Sequence, residues 1–94
     1  MSDTGQLLRA ATSVAANYRA VCRARSSADM ISKLGIVEEE ADETSFWLGM
    51  LVDAKKACPQ VCTPLINEAD EIVAMTVASI KTLRQRANLK SKIQ

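Results

Sequence analysis

The sequence contains no histidine, and its aromatic residues are limited to Tyr18, Phe46 and Trp47. Without histidine there is no Ser/His/Asp set and no Cys/His pair, and the commonest zinc ligand is missing. No Gly-rich phosphate loop is present either, so the chain reads as a non-enzyme with no cofactor and no evident small-molecule substrate. Two Pro, three Gly and so few aromatics argue against a sandwich or barrel. No apolar run approaches the roughly eighteen residues of a membrane span. The start, MSDTGQLLRA, lacks the basic and apolar regions of a secretory leader. A cytoplasmic location with no membrane partner is the default expectation. Cys22, Cys58 and Cys62 are odd in number. Zinc would need a carboxylate or a second chain for its fourth ligand, and three reduced thiols are the plainer reading.

The residues that are present favour helices. Ninety-four residues rich in Ala, Leu, Ile, Val and Met fit one all-α domain with a small core. Met30, Leu34, Val37, Ala41, Thr44, Leu48 and Leu51 recur at steps of four and three, one face of a helix over about 29–57. Ser27 or Asp29 offers a cap, and Pro59 lies beyond its end. Before it, Leu7, Ala11, Val14, Tyr18 and Val21 make the stripe of a helix over about 4–25, capped by Asp3 or Thr4. Arg9, Ser13, Asn17 and Ala20 form a small, polar second face on that helix. After it, Thr63-Pro64 reads as a helix start. Leu65, Ala69, Ile72, Thr76, Ile80, Leu83 and Ala87 carry that third helix to about 88. Short connections make neighbours antiparallel. The fold class expected is an all-α, antiparallel up-down helical bundle in a single domain.

The middle helix carries Glu38, Glu39, Glu40, Asp42 and Glu43 within six residues. Like charges three or four apart repel by about 0.2–0.5 kcal/mol per pair, so positive charge must reach them from elsewhere or the face must stay solvated. A hairpin turning near 58–63 sets Ala41 level with Ile80. Glu40 and Glu43 then stand beside the first helix near Arg9 and Ser13, with Lys81 level on the third. Arg9, Ser13, Asn17, Glu40, Glu43 and Lys81 are therefore expected to form a structural polar cluster that fixes register, with an anion pocket as the alternative. Glu40-Ala-Asp-Glu43 and Glu68-Ala-Asp-Glu71 resemble the tetrads of two-metal carboxylate sites. The same register separates them by roughly 16 Å along the axis, at about 1.5 Å per residue, and no metal is expected.

Net charge is +1, unevenly distributed. Residues 1–33 carry +3, residues 34–80 carry −7 and residues 81–94 carry +5. Arg19, Arg23, Arg25, Arg84, Arg86 and Lys90, with Lys81 and Lys92, are candidates for nucleic-acid phosphates. The plainer reading is cations favoured by helix C-termini. Ile36, Phe46 and Trp47 fall outside the middle helix's main stripe and are candidate subunit contacts.

Three segments have a familiar wording: GQLLRAATSVAANYRAVCRARS, KLGIVEEEADETSFWLGMLVDA and LINEADEIVAMTVASIKTLRQR. Over about residues 5–86 the chain resembles the four-helix-bundle protein family linked with intervening sequences of large-subunit ribosomal RNA. The resemblance implies an up-down four-helix bundle assembled into a ring-shaped pentamer, with no assigned biochemical activity. A relative of similar fold, the accessory protein of diversity-generating retroelements, binds nucleic acid and a reverse transcriptase, but it is strongly basic. Family members begin with a further helix ahead of the segment seen here as Gln6 to Arg9. The expectation is three helices equivalent to the family's second to fourth. The function expected is a non-enzymatic homo-oligomeric scaffold or adaptor, or alternatively a nucleic-acid-binding accessory module.

Overall fold

A computed structural model of the chain describes residues 2–93 and consists of three α-helices joined by short turns. Helix α1 spans Asp3–Cys22, α2 Ser27–Asp53 and α3 Pro59–Ile93. Helix α2 packs against both neighbours, whereas α1 and α3 make no close backbone approach to one another. The arrangement is an antiparallel bundle left open along one side. Its Cα radius of gyration is 15.8 Å, against about 13 Å for a compact domain of ~100 residues. The accessible surface is 6530 Å², where a compact monomer of this mass exposes about 5,300 Å².

Each helix starts or stops on a signal slightly different from the expected one. Ser2 Oγ accepts from Gly5 N–H at 3.1 Å, so the first cap precedes Asp3 and Thr4. Ser26 Oγ accepts from Asp29 N–H at 3.0 Å, one residue ahead of Ser27. Helix α2 stops at Asp53, four residues earlier than its sequence pattern suggests. Lys56 N–H donates to Leu51 O and Lys55 N–H to Val52 O, at 2.9 and 3.0 Å. This is a Schellman closure, with Lys55 at φ 59° in the left-handed position that usually takes Gly. Helix α3 then begins at Pro59, where the Cys58 carbonyl accepts from Val61 and Cys62 N–H. Pro64 lies inside the helix instead of opening it. Its missing N–H leaves the carbonyl of exposed Gln60 to water.

The core is centred on α2. Leu34, Val37, Ala41, Leu48 and Leu51 are buried, together with Ala10 from α1 and Cys62, Ala69, Thr76 and Ile80 from α3. Thr76 Oγ1 satisfies itself on the Val73 carbonyl at 2.8 Å. Of the two faces of α1, the small one is turned to α2. Fully buried Ala10 meets α2, while Ala11 and Tyr18 of the predicted stripe stand exposed. A small side chain lets two helices approach closely, and that contact displaced the larger residues to the open side.

The earlier turn also resets the register between α2 and α3. Ser45 Oγ donates to Asp70 Oδ1 at 3.1 Å, and Ala41, Thr44 and Leu48 share a groove with Leu65, Ala69 and Ile72. Ala41 is thus level with residues just after Ile72, not with Ile80. The tetrads at 40–43 and 68–71 come closer than expected. Even so, among the described residues no three His, Cys, Asp or Glu side chains converge as metal ligands.

Candidate functional site

Three features of this frame bear on function: an ion-pair clamp, an apolar groove and a segregated charge. The clamp joins α1 to α2. Arg9 Nη2 donates to Glu43 Oε1, and Nη1 donates to Glu40 Oε1 at 3.3 Å, with Glu40 Oε2 at 3.2 Å. Trp47 Nε1–H donates to the same Glu43 oxygen at 3.2 Å. Glu43 is held below the usual carboxylate value, first by the Arg9 hydrogen bond and then by the Trp47 indole. The Arg9 guanidinium is held above its ordinary value by hydrogen bonds to Glu43 and Glu40. Glu40 Oε2 is buried yet makes no aligned hydrogen bond, so charge attraction to Arg9 is what compensates it.

The other residues expected in this cluster fall elsewhere. Asn17 Nδ2 donates to the Ser13 carbonyl at 2.9 Å and lies 3.1 Å from Ser13 Oγ, a pairing confined to α1. Lys81 is not level with Glu40 and Glu43. It lines a separate cleft between α2 and α3 with Gly35, Glu38, Glu39 and Arg84. The register shift is the cause, since it moves every α3 residue along α2. Phe46, 55% exposed, and half-buried Trp47 meet edge to face with ring centroids 5.0 Å apart. With half-buried Ile36 and exposed Met50 they give α2 an apolar outer margin beside the clamp.

The groove runs between α1 and α3 over the floor of α2. Leu7, Leu8, Ala11 and Val14 form one bank, Leu65, Ala69 and Ile72 the other, and Ala41, Thr44 and Leu48 the floor. Its volume is about 520 Å³, and Glu68 is the one ionisable residue lining it. Leu8 and Leu65 remain 65% and 44% exposed. Leu7, Ala11 and Val14 belong to the apolar stripe that periodicity identifies on α1, and that stripe faces the groove.

Folding also gathers charge. Helices α1 and α3 run the same way, so the basic segments from both parts of the sequence reach one end. Of the twelve Lys and Arg, nine stand there: Arg19, Arg23, Arg25, Lys33, Lys81, Arg84, Arg86, Lys90 and Lys92. Asp29 is the one carboxylate among residues 19–33 and 81–93. Among the described residues the ion pairs are those of Arg9 and Lys56–Asp3, so none of the nine is paired. No helix of the described residues is long and apolar enough to cross a membrane.

An all-α antiparallel bundle with an interhelical Arg–Glu clamp defines the class of protein, and comparison with known proteins narrows it. The family model for the 23S rRNA-intervening sequence protein matches residues 2–78, and the chain belongs to that family. A crystal structure from Bacteroides thetaiotaomicron, of a protein with unknown function from the S23 ribosomal protein family, is similar at 34% identity. The match covers 86% of this chain and 72% of that one, with a TM-score of 0.80. No curated protein matches the chain.

Proposed function

We propose that the chain is a non-enzymatic helical scaffold or adaptor that assembles with copies of itself. The observation supporting this reading is the open groove, whose banks and floor are apolar along α1, α2 and α3. Apolar surface of this kind on a soluble chain marks an interaction site. The outer margin of α2 at Ile36, Phe46, Met50 and Trp47 offers a second contact of the same character. Five copies is the count that the family resemblance implies. Light scattering in physiological salt tests the reading. The expected result is a particle several times the 10.2 kDa chain, reduced in mass by Leu8→Lys or Phe46→Lys. Both residues are exposed, so neither change should unfold the helices. A stable monomer, unchanged on concentration, refutes it.

A second reading, a nucleic-acid-binding accessory role, is supported by a different observation: nine unpaired cations at one end of a chain with a net charge of only +1. Affinity for RNA that falls steeply with salt favours it, and no binding at low salt removes it.

A further inference from the structure

We propose that the cleft along the seam of α2 and α3 binds a short zwitterionic peptide, its ammonium group on Glu38 and Glu39 and its carboxylate on Lys81 and Arg84. The inference rests on neither reading of the function above. The cleft shares no residue with the apolar groove. Its volume of about 530 Å³ is that of a small-molecule site. Glu38 and Glu39 line it from α2, Lys81 and Arg84 from α3. Among the described residues no ion pair joins the two sets. Arg9 shows what this molecule does where opposed charges meet, since it grips both Glu40 and Glu43. The register explains the difference. Ser45 bonds to Asp70, which in antiparallel helices sets Gly35 level with Ile80 and Glu38 level with Val77. Lys81 and Arg84 then lie about 6 and 10 Å further along the axis, at ~1.5 Å per residue. Level with them on α2 are Leu34 and Ile31, which carry no charge. Neither cation is in the last turn of α3, so the macrodipole gives them no partner either.

The cleft is thus acidic at one end and basic at the other. A ligand of one sign is attracted at one end and repelled at the other, whereas a dipolar ligand satisfies both. An extended peptide spans about 3.3–3.6 Å per residue, so two or three residues cover the interval between the charges. Arginine can hold a carboxylate by two parallel hydrogen bonds, and Lys81 adds a point charge one turn away. Ile31, Val77 and Ile80 supply apolar surface for the peptide side chains. Gln85 and Asn88, at the basic end, offer both donors and acceptors to peptide groups. Gly35 opens the wall between them. A Cβ there would meet nothing within 4 Å, so a ligand can lie directly against the backbone.

Amide NMR on the isotope-labelled full chain, titrated with millimolar Ala-Leu-Ala, tests the assignment. Saturable shifts are expected at Gly35, Lys81 and Arg84 and at the side-chain amides of Gln85 and Asn88. Acetylating the peptide's amine, or amidating its carboxyl, should each weaken binding roughly tenfold or more, the effect of losing one charge-assisted contact. Glu38→Gln with Glu39→Gln should abolish the penalty for acetylation and keep that for amidation. Lys81→Gln with Arg84→Gln should do the reverse. Gly35→Leu fills open space and favours the helix, so it should block the cleft without unfolding the chain. Circular dichroism verifies that each variant is helical. Absence of any saturable shift overturns the inference. So does a capped peptide that binds as tightly as the free one, which would make the site one for a single charge. Shifts that persist in Gly35→Leu place the peptide outside this cleft and overturn it as well. None of these results bears on self-association or on RNA, which light scattering and the salt titration test separately.

Discussion

Leu34 and Leu8 are the same side chain on helices of one small bundle, yet Leu34 is 5% exposed and Leu8 65%. The first lies where α2 is covered from both flanks. The second stands on the bank of the groove, where α1 and α3 fail to meet. Sequence periodicity treats the two alike, because it records that a position is apolar and not whether a neighbour arrives. Folding free energy is concentrated on the closed side. The open side holds apolar surface that contributes to association instead.

The largest expected effect follows from that contrast. Leu34→Ala should destabilise the chain by about 2–5 kcal/mol, the range for a buried leucine whose surroundings cannot collapse. Leu8→Ala should stay within about 0.5 kcal/mol, as for surface changes generally. Urea unfolding at low protein concentration measures both. Equal losses would show that the groove is closed in the folded chain. The comparison sharpens if the concentration is raised. A Leu8→Ala effect that grows with concentration places Leu8 at a subunit contact.

The number of helices, their antiparallel order and the α2 stripe were all legible in the sequence, since each rests on strong periodicity and short connections. The stopping points were less so. Nothing in Val52-Asp-Ala-Lys-Lys56 announces a left-handed residue, because Lys55 stands where glycine is the usual signal. Missing that turn displaced the predicted register, and with it Lys81, which was placed beside Glu40 and Glu43 but faces Gly35 and Glu38. Arg9 was placed by its level along α1, and the level between α1 and α2 is set by the first connection, which the later turn does not disturb. Both faces of α1 were legible, but not which of them meets α2, because the small face around Ala10 carries little signal in a hydrophobic pattern.

A smaller effect tests the stop itself. Lys55→Gly removes the Cβ strain of a left-handed residue but adds freedom to the unfolded chain. Strain in the left-handed region amounts to about 1–2 kcal/mol, and the entropy offset to roughly 0.4–1 kcal/mol. A net gain of about 0.5–1 kcal/mol is expected. Thermal unfolding checks it, and a lower midpoint for the glycine variant would contradict the assigned closure.

The smallest effect concerns pH and separates the clamp from the apolar core, which does not titrate. Glu43 is held below its ordinary value of 4.5 by Arg9 and then Trp47. A carboxylate depressed in the folded state contributes its full stabilisation above the unfolded value and loses it as pH falls through the folded one. The contribution should therefore be constant near neutrality and fade below about pH 4.5. Glu43 and Arg9 are both partly solvated, with side chains 35% and 41% exposed, so screening keeps the effect modest. Glu43→Gln should lower stability slightly at pH 7 and make the remaining stability less dependent on pH in the acid range. The two chains should converge as Glu43 becomes protonated. Urea midpoints compared at pH 7 and pH 3.5, in low and high salt, read this directly. Parallel curves for the two chains across that interval would mean that Arg9 contributes packing to the α1–α2 contact and no charge.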